Sequence, residues 1–110
     1  MPQITYDGRS LMINGRRTAL SGAGVEYVAM DPSLRESILR SFASLGFNTL
    51  LASCPWHLHE PVPDGFVFDG RLDVAGFCRE ADALGLRTIL RIGPAVGAPF
   101  DGGGIPTWMS

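Results

Sequence analysis

The sequence predicts an α/β fold of alternating helices and parallel strands, and three observations support this prediction. Apolar residues recur at helical spacing in two segments, each followed by a short apolar run typical of a buried strand. A glycine ends each helical pattern, at Gly46 and at Gly85. The segment 45–51 (LGFNTLL) is echoed by the segment 84–90 (LGLRTIL), which indicates a repeated helix-to-strand unit.

The two helices and three strands follow from local signals. Asp31 is a favourable N-cap, and it is followed by proline at the first helical position. The first helix carries its apolar face on Leu34, Ile38, Phe42 and Leu45. The second helix carries its apolar face on Leu72, Ala75, Cys78, Ala81 and Leu84. Strands are predicted at 22–27, 47–52 and 87–92.

Residues 1–20 have a different pattern. The turn signals Asp7-Gly8 and Asn14-Gly15 flank the short apolar run 11–13. Both dipeptides favour the positive φ angles of tight hairpin turns. We therefore predict a short antiparallel β meander over 1–20 and assign it no chemistry.

Parallel helix-to-strand repeats occur in (β/α)8 barrels and in doubly wound sheets. A full barrel needs about 250 residues, whereas this chain has 110. Three parallel strands alone would leave open edges and little covered core. We predict that residues 21–110 are the first βα units of an incomplete (β/α)8 TIM barrel, the rest of which is needed for a stable domain.

Composition excludes several classes of protein. The net charge of −2 gives no basic patch for nucleic acid. No apolar run reaches the roughly 18 residues of a membrane-spanning helix, and the first residues lack the features of a signal peptide. The expected location is cytoplasmic by default, with secretion left open.

Cys54 and Cys78 are expected to be reduced and largely buried.

The candidate functional residues follow the predicted strands, because a barrel builds its active face from the loops after the carboxyl ends of its strands. They are Glu26, Tyr27, Trp56, His57, His59, Glu60, Asp101 and Trp108. Carboxylates act as acid, base or nucleophile at a glycosidic bond, and aromatic rings stack on sugars. This combination of residue types favours carbohydrate chemistry.

Several motifs carry a family resemblance. The segment 56–61 (WHLHEP) resembles the Trp-Asn-x-His-Glu-Pro signature of glycoside hydrolase family 35, the β-galactosidases. Similar matches occur at 6–8, 13–15, 21–22, 68–73 (FDGRLD), 91–94 (RIGP) and 103–108 (GGIPTW). The resemblance covers nearly the whole chain, with the motifs in the correct order.

The resemblance implies a retaining glycosidase that removes a terminal β-linked sugar with two glutamates, on strands four and seven of the barrel. Both would lie beyond Ser110, so no catalytic residue is assigned here and the 110 residues alone are expected to be inactive. Substrate contacts are expected from Glu26, Tyr27, His57 and Asp101. Structural or pocket-rim roles are expected for Trp56, His59, Glu60 and Trp108. No metal or cofactor is expected.

The chain departs from the family pattern at positions near the sugar. Glu26 and Ala29 stand where histidine and arginine are common, Ser53 replaces a tyrosine, and His57 replaces an asparagine. In the third block, Ala95 replaces a tyrosine and Gly97 replaces a cysteine or an asparagine. Pro99 replaces a glutamate that normally contacts the sugar. These departures leave open a homologue that binds carbohydrate without cleaving it.

Other interpretations remain open from sequence. His57-x-His59, with Glu26 and Asp101, has the spacing of some metal-dependent barrel hydrolases. Glu26 is either a sugar ligand or the partner of Arg91 inside the barrel. The two tryptophans are either packing residues or sugar platforms. The glycines after Asp101 lack the lysine of a phosphate-binding loop and are expected to let the chain turn sharply.

Overall fold

A computed structural model describes residues 3–97 and 100–109, and it contains two three-stranded sheets. The first is antiparallel and comprises β1 (Ile4–Tyr6), β2 (Leu11–Ile13) and β3 (Arg16–Arg17). Asn14 and Gly15, which join β2 to β3, have φ angles of 52° and 78°. Two successive positive φ angles are typical of a type I′ turn, so the predicted tight turn is confirmed.

The second sheet is parallel, with the order β4 (Gly22–Gly24), β5 (Thr49–Ser53) and β6 (Arg87–Arg91). The helices are α1 (Pro32–Ser44), α2 (Trp56–His59) and α3 (Val74–Ala83). Short 3-10 turns lie at Tyr27–Ala29, Gly70–Leu72, Asp101–Gly104 and Thr107–Met109. The alternation of parallel strands with α1 and α3 agrees with the predicted α/β class.

Several predicted boundaries need correction. The first parallel strand ends at Gly24 instead of residue 27, because a 3-10 turn begins at Tyr27. The second occupies 49–53 instead of 47–52, and the third ends at residue 91. Leu72 lies outside α3, since the side chain of Asp73 accepts a hydrogen bond from the Gly76 N–H and caps the helix there.

The predicted start of α1 and the predicted glycines after α1 and α3 agree with the structure. The Asp31 carboxylate accepts a hydrogen bond from the Ser33 N–H at the start of α1. That backbone hydrogen bond holds the pKa of Asp31 below its ordinary value. Gly46 and Gly85, which follow α1 and α3, have φ angles of 93° and 79°. These left-handed angles explain why glycine stands at both positions.

The hydrophobic core lies between the parallel sheet and the two long helices. Leu50 of β5 is fully buried there, against a cluster that includes Leu39 of α1 and Phe77 of α3. Arg35 of α1 donates two hydrogen bonds to the Glu80 carboxylate of α3, at 2.9 and 3.0 Å. This bidentate pair ties the helices together over the core.

The opposite face of the parallel sheet is open in its middle, although Thr49 and Ser53 of β5, which share this face by alternation, are buried. Leu51 and Ile89 are neighbours in the β5–β6 register, and they are 44% and 45% exposed. A Cβ atom on Gly22 would lie 3.0 Å from a Leu51 methyl group, so Gly22 shares this face. We call it the inner face, and the helix-covered side the outer face.

Cys54 and Cys78 are free thiols that pack against the core, but each is only partly buried, less than the sequence predicted. Burial raises the pKa of the Cys78 thiol.

None of the helices formed by residues 3–97 and 100–109 combines the length and the apolar character of a membrane-spanning segment.

Candidate functional site

Polar side chains gather at the carboxyl ends of the parallel strands. Ser53 and Arg91 end β5 and β6 and are Cα partners in the register. Glu26 lies two residues beyond β4, and its carboxylate accepts a hydrogen bond of 3.2 Å from the Ser53 N–H. The ends of three neighbouring strands therefore carry a carboxylate, a buried serine and a guanidinium group.

The suggested ion pair between Glu26 and Arg91 does not form in the described part of the chain. Each of the ion pairs found there joins other residues. Arg91 instead donates a hydrogen bond of 3.3 Å to the Val96 carbonyl oxygen. Glu26 is half-buried and Arg91 is exposed.

Tyr27 is fully buried, so a sugar does not reach its side chain in this structure. Its hydroxyl lies 2.7 Å from His59 Nε2, and His59 Nδ1 lies 2.9 Å from the Val67 carbonyl oxygen. A carbonyl only accepts, so Nδ1 carries the proton and Nε2 accepts from the Tyr27 hydroxyl. Burial raises the pKa of Tyr27, which keeps the hydroxyl protonated as a donor.

His59 supports the loop that follows α2. The Val67 N–H donates to the His59 carbonyl oxygen at 2.8 Å, so these two residues exchange two hydrogen bonds. The Phe68 ring stacks on the imidazole with a centroid distance of 4.8 Å. His59 therefore fixes the position of the loop through its backbone, its imidazole nitrogen and its ring face.

This geometry also bears on the metal interpretation. Both imidazole nitrogens of His59 are occupied by protein partners, so neither is free to bind an ion. No group of three histidine, cysteine, aspartate or glutamate side chains suited to a metal ion occurs in residues 3–97 and 100–109. The His57-x-His59 spacing thus does not produce a metal centre in this structure.

Glu60 lies at the centre of a hydrogen-bonded cluster. Its buried carboxylate accepts hydrogen bonds from Trp56 Nε1 at 2.7 Å and from the Asp64 N–H at 2.8 Å. Its carbonyl oxygen accepts a third from Trp108 Nε1 at 2.9 Å. We call these four residues the Glu60 cluster. Hydrogen-bond donors satisfy both oxygens of the buried carboxylate, as burial requires.

The Glu60 cluster connects two loops at the same end of the sheet. The Trp56 and Trp108 rings meet edge to face, with their centroids 5.7 Å apart. Trp56 follows β5 in sequence, and Trp108 follows β6 by a long loop. Both indoles have their N–H groups engaged and are only partly exposed. In this structure they act as packing residues.

His57 lies against the turn that follows β6. Its ring is edge-on to Phe100 at 6.0 Å, and its Nδ1 atom is buried without a hydrogen-bond partner. A Cβ atom on Gly104 would lie 3.7 Å from that nitrogen. Asp101 begins this turn with an exposed side chain. The glycines at 102–104 all have positive φ, which confirms the predicted sharp turn.

The substituted positions of the third block carry little polar chemistry. Ala95 is exposed, and Gly97 has a φ angle of 82°. Pro99 lies outside the described residues. No side chain at 95 or 97 offers a hydrogen-bond donor or acceptor to a ligand.

Sequence reasoning named most of these residues but missed how they pair. It did not identify Asp64 and Val67 as the backbone partners of Glu60 and His59, because hairpin-like contacts within a proline-rich loop have no periodic signal. It also assigned no role to Phe68 beyond the family motif. The positive charge of Arg91 was the sequence signal that could have located the polar strand ends.

Known proteins resemble this chain over nearly its whole length. The sequence model of the glycosyl hydrolases family 35 matches residues 10–110. The chain belongs to glycosyl hydrolase family 35. It is 36% identical over 107 residues to beta-galactosidase 13 of Arabidopsis thaliana, and 35% identical over 107 residues to beta-galactosidase 7 of Oryza sativa subsp. japonica.

Coverage is unequal in these family 35 matches. Each alignment covers 97% of this chain but only 13% and 14% of the respective relatives. A solved structure, that of an endogalactoceramidase, aligns with a TM-score of 0.69 and 24% identity, over 97% of this chain and 27% of that one. At this identity the likeness establishes a shared fold. The chain spans about one seventh of the length of the curated relatives it matches.

Proposed function

We propose that this chain is the opening part of the catalytic barrel of a β-galactosidase-like, retaining glycosidase. The observation that carries the proposal is the position of the polar groups at the carboxyl ends of three adjacent parallel strands. Ligands of α/β barrels bind at this end. Family membership over residues 10–110 supports the same conclusion.

The open inner face supports the barrel part of the proposal. Parallel sheets are normally covered on both faces, yet Leu51 and Ile89 are exposed on the inner face. In a closed barrel such residues fill the interior in layers. We infer that the remaining strand–helix units of the barrel are the partner that covers them.

In the proposed site, Glu26, His57 and Asp101 contact a carbohydrate with a terminal β-linked sugar. Glu26 accepts hydrogen bonds from sugar hydroxyl groups. Tyr27 contributes indirectly, by holding His59 and the loop beyond it. The Glu60 cluster holds the two loops that form this part of the rim.

The catalytic pair is proposed to lie outside these 110 residues. In a retaining glycosidase, one carboxylate attacks the anomeric carbon and a second donates a proton to the leaving oxygen. The carboxyl groups would stand about 5 Å apart. Strands four and seven of the complete barrel would supply them, so this chain supplies binding and shape.

A second candidate function is carbohydrate binding without cleavage. Ala95 and Gly97 offer no polar side chain where the family usually contacts its sugar. Binding would then depend on the remaining polar groups at the strand ends, and catalysis would be weakened through poor positioning of the sugar.

The experiment joins residues 1–110 to the remainder of beta-galactosidase 13 in place of its aligned segment. We expect the joined protein to hydrolyse a β-galactoside, and the 110-residue chain alone to have no activity. Sugar binding without hydrolysis by a folded joined protein would favour the binding function. Hydrolysis by the purified chain alone would contradict the proposal that the catalytic pair lies elsewhere.

A further inference from the structure

A cavity lies at the amino ends of the parallel strands, at the end of the sheet opposite to the candidate functional site. Its volume is about 450 Å³, and it is bounded by the β2–β3 turn, the segment before β4, Asn48 and the turn between α3 and β6. Two arginines, Arg16 and Arg87, line it, and the described residues of its lining include no aspartate or glutamate. We call it the amino-end cavity.

Hydrogen bonds hold the walls of the amino-end cavity in place. The Asn48 carbonyl oxygen accepts from the Arg87 N–H at 2.8 Å. The Asn48 side chain accepts from the Ser21 N–H at 2.7 Å and donates to the Ala19 carbonyl oxygen at 2.8 Å. Asn14 forms the tight turn on the other side. A ligand therefore meets preformed walls, which lowers the entropic cost of binding.

Both guanidinium groups retain donors for a ligand. Arg16 is the register partner of the buried Ile13, so the two side chains share the face that lines the cavity. None of the ion pairs among the described residues includes Arg16. Arg87 donates from Nη1 to the Asp82 carboxylate at 3.0 Å, which leaves most of its five N–H donors unused.

The ion pair between Arg87 and Asp82 leaves the cavity positive. The Asp82 side chain is 67% exposed, and exposed ion pairs contribute little to stability. Asp82 also lies outside the lining of the amino-end cavity. An anion in the cavity can therefore share Arg87 with Asp82 at small cost.

We propose that the amino-end cavity binds a phosphate group carried by a small monoester, through Arg16 and Arg87. The three oxygens of a phosphate monoester can accept hydrogen bonds from both guanidinium groups at once. The volume lies within the usual range of small-molecule sites, about 300–1,000 Å³. Ile13 and Leu20 add apolar surface for the organic part of the ligand. This inference does not depend on the proposed glycosidase function.

The test measures binding of phenyl phosphate and inorganic phosphate to the 110-residue chain by NMR titration at pH 7.5 and low salt. We expect phenyl phosphate to bind with a dissociation constant on the order of 1 mM, with amide shifts at 14–18 and 85–87. Inorganic phosphate should bind about fivefold more weakly, because it lacks the apolar contact. Salt at 0.5 M should weaken both, because it screens exposed charges.

Variants separate the two arginines from net charge. Arg16→Gln and Arg87→Gln should each weaken phenyl phosphate binding about fivefold, the scale of one exposed ion pair. Asp82→Asn should strengthen it about twofold, because Arg87 Nη1 is released. The matched controls are Arg40→Gln and Glu36→Gln, which make the same charge changes on the exposed surface of α1. Both should leave the affinity unchanged.

Calorimetric titration of the joined protein repeats the comparison in the proposed barrel. Absence of saturable binding, or equal weakening by Arg40→Gln and Arg16→Gln, would overturn the site. Equal affinities for the two probes would overturn the monoester and leave a site for free phosphate. Binding by the chain but not by the joined protein would show that other strands close the cavity, and would overturn the site in the barrel. Hydrolysis of a β-galactoside by the joined protein tests the proposed function separately.

Discussion

The two faces of the parallel sheet differ in exposure, although alternate residues of the same strands form them. On the outer face, Leu50 is fully buried under α1 and α3. On the inner face, the adjacent Leu51 remains 44% exposed. The difference teaches that the helix-to-sheet core of the βα units is complete in this chain, whereas the middle of the other face of its sheet is left uncovered, as the proposed barrel would require.

The largest expected effect on stability comes from a substitution at Leu50, compared with the same substitution at its neighbour Leu51. Leu50→Ala should lower the free energy of unfolding by about 2–5 kcal/mol, because it removes a fully buried side chain and leaves a cavity. Leu51→Ala should cost less than about 1 kcal/mol, since the side chain is already near water. Urea unfolding of both variants provides the measurement. Equal losses would contradict the difference between the faces.

A smaller effect is expected where the loops meet at the open end of the sheet. Glu60→Gln places an amide NH2 group against one of two N–H donors, Trp56 Nε1 or Asp64 N, and leaves that donor unpaired. We expect a loss of about 1–3 kcal/mol in the free energy of unfolding.

Tryptophan fluorescence should also change in Glu60→Gln, since the carboxylate holds one indole directly. The matched control is Glu36→Gln, on the exposed surface of α1, for which we expect a change within about 0.5 kcal/mol. A Glu60→Gln variant as stable as this control would show that the Glu60 cluster does not hold the loops.

Tyr27 links the outer-face core to the loop beyond α2. Its ring packs on Phe77 with a centroid distance of 5.4 Å, and its hydroxyl bonds to His59. Tyr27→Phe keeps the packing and removes the hydrogen bond, so we expect a loss of about 1 kcal/mol. Hydrogen exchange at the Val67 amide should become faster, because the His59 imidazole loses one of its two hydrogen bonds. Unchanged exchange would exclude this coupling.

The smallest effect concerns the pH dependence of the helix pair. The hydrogen bond from Arg35 holds the pKa of Glu80 below its ordinary value. The ionised carboxylate therefore contributes stability above its unfolded-state pKa of about 4.3, and this contribution is lost as the pH falls through the lower folded-state value. Glu80 is partly exposed, so we expect about 1 kcal/mol or less.

Urea unfolding between pH 6 and pH 3 tests this dependence. Glu80→Gln should flatten the acid side of the profile relative to the unsubstituted chain. A profile that is just as steep in Glu80→Gln would assign the acid sensitivity to other carboxyl groups.

Local signals predicted the elements of the fold well. The cap at Asp31, the glycines at 46 and 85 and the Asn14-Gly15 turn depend on backbone geometry that neighbouring residues set. The strand boundary after Gly24 was wrong, because apolar Val25 continues the pattern although the chain already turns towards the 3-10 segment. Hydrophobic periodicity does not detect a strand end that is set by packing against distant parts of the chain.

The candidate site was harder to predict in detail. The family motifs identified Trp56, Glu60 and Trp108, yet their mutual hydrogen bonds depend on how two loops fold back over one sheet end. The burial of Tyr27 and its bond to His59 also depend on long-range packing, across 32 residues of sequence. Single-sequence patterns carry residue types and spacing, but they do not carry these contacts.

The central claim is that the inner face is open in this chain and is covered by the rest of the barrel. Methyl NMR with a soluble paramagnetic probe measures this directly at Leu50 and Leu51. In the 110-residue chain we predict strong broadening of the Leu51 methyl signals and little at Leu50. In the joined protein, both should be protected. Protection of Leu51 in the chain alone, or its exposure in the joined protein, would contradict the claim.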